Sequence, residues 1–339
     1  MQLLHCKGSS NMIESLTISD FKCIHSANFQ FKNLNVITGV NSSGKSSVIQ
    51  SILFFSDVIN EDSKLFERWS FDSVHNRYFN AKAIEISLNG IKVTMDDEVI
   101  ECPEKKIPFK KNREFFYLSE NRSGPKTFEN ITKSTEIGDE AEYVMSSYFK
   151  HQNEPIEDKL ISEEGVQTLS FNVDYWLKRI LNDSYVNLHV EKVSSEKLKV
   201  SYGFGELDNL EPTQLGAGVS YIAKVIIVCL QAKPGQTVII ENPEIHLHPA
   251  AQSEVGHFLA FIASKGIQVI VETHCEHLIN RIQYEVFRKN FLSENVCLFY
   301  KPSYKEDFQK INIESTGHFA NGFPSGFFDA SLSHLLEIG

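Results

Sequence analysis

The chain has 339 residues, 42% of them hydrophobic and 23% charged, which suits one large α/β body with an insertion or two intimately joined lobes. Its formal net charge of −11 excludes general attraction to polyphosphate chains and confines any nucleic-acid contact to a local basic patch or a face made by assembly. Six scattered cysteines without a CxxC pair argue against a disulfide scaffold or zinc ribbon, and no apolar run approaches the roughly 20 residues that span a bilayer, so a cytoplasmic protein without membrane contact is expected.

Residues 1–11, MQLLHCKGSSN, lack the apolar core of a signal peptide and read as a disordered or tag-like N-terminus. Residues 12–339 then read as a single domain. Alternating apolar positions predict strands in SLTI, ANFQF and LNVIT, the last running into GVNSSGKSS and a helix, SVIQSILFFSDVI. Asn89-Gly90 between IEISL and IKVTM predicts a tight β-hairpin. Residues 60–180 are expected as a partly helical insertion or second lobe. Within it, Lys105, Lys106, Lys110, Lys111 and Arg113 interleave with aromatics and read either as a solvated hairpin face or as a track for a phosphate backbone. A second strand pair, YVNLHV and KLKVSYGF, follows. From residue 213 onward strands (TVIIE, IQVIVET, NVCLFY) alternate with helices, which implies a parallel sheet with helical crossovers.

GVNSSGKS matches GxxxxGK[ST] at every fixed position, between an apolar strand and an amphipathic helix. Glycines at 39 and 44 permit the tight turn that lets backbone N–H groups surround phosphates. Lys45 would reach the β- and γ-phosphates, and the Ser46 hydroxyl would ligate Mg²⁺. The candidate ATP cradle is therefore Gly39, Asn41, Ser42, Ser43, Gly44, Lys45, Ser46 and Ser47. TVIIE ends on Glu241, the expected carboxylate partner of Ser46 at the metal. His274 ends a neighbouring strand and suits a γ-phosphate sensor or, alternatively, a solvated loop histidine. A glycine-rich turn opening a helix, PTQLGAGVSYIAKVI, supplies a second anion-ready N-terminus at Leu215, Gly216 and Gly218. Its distance from the first loop suggests a nucleotide held by another subunit, the alternative being a plain helix-entry turn. His246 and His248 resemble a metal pair, but no further ligands are spaced to join them, and a structural turn before Pro249 fits equally well.

These motifs in this order resemble the ABC-type P-loop ATPases grouped with RecF, the SMC heads and the OLD family, and most closely the coil-free bacterial AAA-15/AAA-21 type, several of which serve anti-phage defence. LTISDFKCI, YLSENRSGP and GFPSGFFDASLSHLL fit the same group. The resemblance implies an α/β fold: an ABC-type head with an antiparallel β lobe, a mostly parallel P-loop sheet flanked by helices, and a partly helical insertion. It implies a head-to-tail homodimer that sandwiches two ATPs, with Glu241 and His274 as acid-strand carboxylate and switch histidine. Two departures stand out. Gly216 occupies the place of the usual signature serine, for which Ser220 could compensate. Asn242 occupies the place of the usual general base, and an amide cannot accept the proton, whereas Glu244, two residues on, could serve through one water.

The interval between Ser46 and Gly216 carries no heptads, so no coiled-coil arm is expected, and no appended nuclease is visible. An effector partner, a nuclease or toxin, is therefore expected, with DNA or RNA as a further candidate ligand. Three functions stay open at this point: a slowly hydrolysing ATPase that controls an effector in anti-phage defence, a non-hydrolysing ATP-dependent switch or scaffold, and a RecF-like DNA-repair ATPase. Arg122, in NRSGP, is placed by the same resemblance near the nucleotide.

Overall fold

The computed structural model describes residues 12–324, apart from 62–64, 98, 103–108, 135, 139 and 163–165. The tag-like segment 1–11, Lys105 and Lys106 of the basic run, and most of the closing GFPSGFFDASLSHLL lie outside the described residues. β1 (Ser15–Phe21) and β2 (Ile24–Gln30) form a hairpin, and β3 (Leu34–Gly39) feeds the glycine loop from which α1 (Lys45–Ile59) departs. Two single-turn helices, α2 (Leu65–Arg68) and α3 (Phe71–Val74), lead to β4 (Ala83–Leu88), β5 (Ile91–Asp96) and β6 (Ile100–Glu101). Then come β7 (Phe115–Leu118), β8 (Phe128–Asn130), α4 (Val144–His151), α5 (Leu169–Leu181), β9 (Asn187–Lys192), β10 (Lys197–Phe204) and β11 (Leu207–Leu210). The last third is α6 (Ala217–Gln231), β12 (Thr237–Glu241), α7 (Pro249–Ser264), β13 (Gln268–Glu272), α8 (Glu276–Phe287), β14 (Val296–Lys301) and β15 (Gln309–Ile311).

The central sheet has the order β15-β14-β3-β13-β12-β7, parallel except for the β14–β15 pair. Its inner strands are buried on both faces, which is why TVIIE and VIVE read as nearly unbroken apolar runs. Side chains alternate between two cores, as the strand period of two requires. Ile37, Ile239, Ile270 and Phe299 face α1 and the antiparallel sheet β2-β1-β4-β5-β6. Val36, Ile240, Val271 and Leu298 face the helical layer, where Trp176 of α5 lies edge-on to Phe258 of α7 at 4.8 Å. At the β4–β5 turn Asn89 and Gly90 both have positive φ (50° and 84°), the conformation that sequence pair favours.

Residues 60–180 are divided among four places, β8 pairing with β10 in a third, antiparallel sheet, and do not form one contiguous insertion or second lobe. β4 to β6 complete the antiparallel lobe that β1 and β2 begin, β7 becomes the edge of the central sheet, and α4 and α5 cover its other face. Local pattern reports which residues are apolar and cannot report which sheet a strand joins. No helix among the described residues is long and apolar enough to cross a membrane. The greasy run around Lys224 forms α6, in which Lys224 is fully buried and pairs with Glu129 at 3.2 Å.

Asp174 of α5 accepts the Leu188 amide at 2.9 Å, and burial pushes its carboxyl up from 3.8 to about 6. A raised folded-state value favours the protonated form, so its stabilising contribution is complete below about pH 4 and is lost as pH rises through about 6. Asp174→Asn retains an acceptor without the buried charge. It is expected to gain on the order of 2 kcal/mol at pH 8 and nothing at pH 4. Urea unfolding at the two pH values checks this, and an equal gain at both would contradict it.

Candidate functional site

The parallel strands β3, β13, β12 and β7 end together, and their C-terminal edge is where open α/β sheets bind ligands. Gly39 ends β3 with φ +139°, and a Cβ there would lie 2.2 Å from the Lys301 carbonyl oxygen. Ser42 and Gly44 also have positive φ, 58° and 110°, so the loop folds back on itself before α1. Such alternation of backbone hand aims successive N–H groups into one concavity, and of the first-turn amides of α1 that of Ser47 is taken by the Gly44 carbonyl at 3.2 Å, leaving those of Lys45 and Ser46 to face a ligand. Asn41 and Ser42 are exposed on the rim, whereas Ser43 and Ser47 are buried beneath it.

Lys45 is 4% exposed and donates to the Val40 carbonyl at 2.7 Å, its charge curled onto the loop. Burial lowers its pKa, partly offset by the Glu272 carboxylate. The Ser46 hydroxyl donates to Glu272 Oε1 at 2.9 Å. Polar atoms left over at this edge, Thr38 Oγ1, Ser43 Oγ and Glu272 Oε2, are buried without hydrogen-bond partners. A nest of free donors, a buried lysine and unpaired oxygens is what a triphosphate with its Mg²⁺ would complete, so the residues present fit that ligand. Gly39→Ala is expected to cost on the order of 2–3 kcal/mol and to abolish nucleotide binding, because collision with backbone adds to the strained φ. Thermal melts with and without ATP test this; a ligand-induced shift surviving in the variant would contradict it.

Glu241 ends β12 beside Glu272, its register partner on β13. Its Oε2 accepts the Tyr117 hydroxyl at 3.0 Å and the Glu120 amide at 3.1 Å. Burial raises the pKa of Glu241, with those two donors opposing. Glu272 is pushed up to about 7, first by burial and then by the Glu241 charge. Asn242, with φ 43°, donates its side-chain amide to Glu120 at 3.1 Å. Glu244 is 7% exposed, and its Oε1 accepts the Thr273 hydroxyl at 2.5 Å while Oε2 has no partner. Its carboxyl is raised by burial and opposed mainly by Thr273. His274, the next residue, is exposed at the same edge, and burial of part of its ring lowers its pKa, as does Lys45.

The glycine turn before α6 lies against the far side of this acid loop. Gly216 is the N-cap, exposed, with φ −60° and nothing within 4 Å of a would-be Cβ. Gly218 is buried, and a Cβ there would meet the His246 carbonyl oxygen at 2.6 Å. Leu215 packs on the helical core. Ser220 is 4% exposed and turned toward Tyr202, so it faces the core and not a partner's phosphate. His248 Nδ1 accepts the Ala250 amide at 3.4 Å as the N-cap of α7, and the His246 ring lies 5.4 Å from that of Tyr221. That pair serves the turn.

The turn after β7 carries Arg122, which the resemblance read from the sequence placed near the nucleotide. Arg122, 2% exposed, donates to the carbonyls of Ser119 (2.9 Å), Glu241 (2.6 Å) and Asn242 (2.9 Å) and lies over the Tyr221 ring at 5.7 Å. It thus supports the acid loop from beneath. Glu272 was missed in the sequence, because at the end of an apolar strand it looked like ordinary punctuation. A separate cleft of about 880 Å³, lined by Phe116, His151, Leu230 and Gln236 among others, opens at the opposite end of β7 and β12.

A family model described as "AAA domain, putative AbiEii toxin, Type IV TA system" matches residues 96–280, more than half of the chain, and leaves the phosphate loop outside the match. The "DNA replication and repair protein RecF" of Francisella tularensis subsp. mediasiatica (strain FSC147) is 35% identical over 95 residues, 28% of this chain and 25% of that protein. The match thus spans about a quarter of that relative's length. Among solved structures, an SMC head bound to the C-winged helix domain of ScpA superposes with a TM-score of 0.56 at 14% identity, covering 89% of this chain and 98% of the other. The SMC head with an extended coiled coil from Pyrococcus furiosus, bound to the C-terminal domain of ScpA, gives 0.53 at 12% identity, covering 96% and 99%. At such identities the likeness shows the fold, an ABC-type ATPase head.

Proposed function

Since the chain belongs to the AAA-domain family described as "AAA domain, putative AbiEii toxin, Type IV TA system", a P-loop ATPase family of the RecF and SMC-head type, we propose that it is an ATP-driven dimer that controls a partner effector in anti-phage defence. The observation that carries this reading is the assembled sheet edge: the strained glycine loop, buried Lys45, the Ser46–Glu272 contact and His274 lie together where a triphosphate fits. Mg²⁺ bound there would supply charge neutralisation for the phosphates and polarise the transferred group.

Gly216 supports the sandwich. The fold itself requires no glycine at that exposed helix start, so an unobstructed approach from outside the chain accounts for the residue better than packing does. Glu244 is the favoured base. It is buried beside His274 with one free oxygen, whereas the Asn242 amide is occupied with Glu120. The non-hydrolysing switch remains the second reading because Asn242 cannot take a proton.

Two measurements decide: steady-state ATP turnover, and molecular mass in solution with and without ATP. Wild type is expected to turn over slowly and to double its mass with ATP, and Lys45→Ala to do neither. A doubling without turnover selects the switch. Neither response in wild type would refute the proposal, and a monomer that hydrolyses ATP would refute its dimeric part.

A further inference from the structure

A P-loop serine is expected to share its magnesium with the carboxylate on the acid strand, which here is Glu241. The hydrogen bonds of the two carboxylates argue otherwise. β13 lies between β3 and β12, so Glu272 stands one strand nearer the glycine loop than Glu241 does. Glu272 already accepts the Ser46 hydroxyl at 2.9 Å. Glu241 turns the other way, its Oε2 receiving the Tyr117 hydroxyl and the Glu120 amide.

The remaining oxygen of Glu272 is the second, independent observation. The residue is 4% exposed, and its Oε2 has no hydrogen-bond donor among the described residues. A buried carboxylate oxygen with no donor is costly to keep, and a cation adjoining Ser46 would satisfy it. Mg²⁺ is commonly held by one or two carboxylates together with substrate phosphates. That suits this site, since among the described residues no group of three or more His, Cys, Asp or Glu could hold a metal unaided.

We propose that Glu272, with Ser46, holds the divalent cation of the bound nucleotide, and that Glu241 is a positioning residue that fixes the turn after β7. This rests on the reading of the glycine loop as a nucleotide site. Ser46 would then give up its bond to Oε1, so that its oxygen and the Glu272 carboxylate both face the cation.

The test is a titration of Mn²⁺ into the full chain with ATPγS, read by electron paramagnetic resonance as loss of the free-ion signal. Glu272→Gln is nearly isosteric and is expected to weaken Mn²⁺ at least tenfold. Glu272→Asp should recover part of that loss, and Glu241→Gln should change it less than threefold. The inference is overturned if Glu272→Gln binds Mn²⁺ within threefold of wild type, or if Glu241→Gln loses as much. Failure of wild type to form any Mn²⁺–nucleotide complex would overturn the nucleotide reading and this inference together, whereas a normal wild-type complex with an indifferent Glu272→Gln overturns this inference alone.

Discussion

Glu244→Gln is expected to lower ATP turnover at least 100-fold while leaving nucleotide binding within about threefold of wild type, the loss ascribed to a missing general base. Its geometry allows this separation. The carboxylate lies in the loop between Glu241 and the start of α7, at the C-terminal edge of the sheet, and is joined to Thr273, the neighbour of His274. A glutamine oxygen can accept the same Thr273 hydroxyl, so the loop keeps its shape. Burial already disfavours the charged carboxylate, and the amide relieves that cost, so thermal stability should stay level or rise. The trapped ATP-bound dimer should persist longer than that of wild type. Turnover in the variant equal to wild type would show that Glu244 is not the base, and a large fall in melting temperature would assign it a structural role instead.

What could be read from the sequence was local chemistry in sequential context. GVNSSGKS between an apolar strand and an amphipathic helix identifies itself, because glycine positions, lysine and serine must occur within one turn of chain. TVIIE and IQVIVET were legible for the same reason: an inner parallel strand is apolar on both faces, and its polar end marks the ligand edge. Lateral order was not legible. Nothing in either strand says that β13 lies against β3, yet that adjacency brings Glu272, and not Glu241, to Ser46. The direction of a helical side chain was hidden for a related reason. Ser220 is one turn beyond Gly216 in sequence, but on α6 its side chain is buried beside Tyr202. Residues 100–170 gave little pattern because they serve several layers in turn, so no single period persists.

Arg122 is the case in which chemistry was visible and its role was not, and it carries the largest expected effect on stability. Arg122→Ala should cost roughly 3–5 kcal/mol, the scale for removing one partner from a buried charged network. Three carbonyls, of Ser119, Glu241 and Asn242, would each lose a charge-assisted donor in a place where the wild-type side chain is 2% exposed. The carboxylates of Glu241 and Glu244 would lose the nearby cation that both of them favour. Burial lowers the Arg122 pKa to about 10, still well above neutrality, so the guanidinium is charged when it does this work. Arg122→Lys should recover less than half of the loss, because an ammonium lacks the planar fork that reaches several carbonyls at once. Urea unfolding measures the cost directly. Turnover should fall in Arg122→Lys more than ATP affinity does, since the fork sets the loop that carries Asn242 and Glu244 while Lys45 stands on a separate element. If Arg122→Ala unfolds like wild type, the acid loop holds its own shape, and the arginine must be sought at the nucleotide after all.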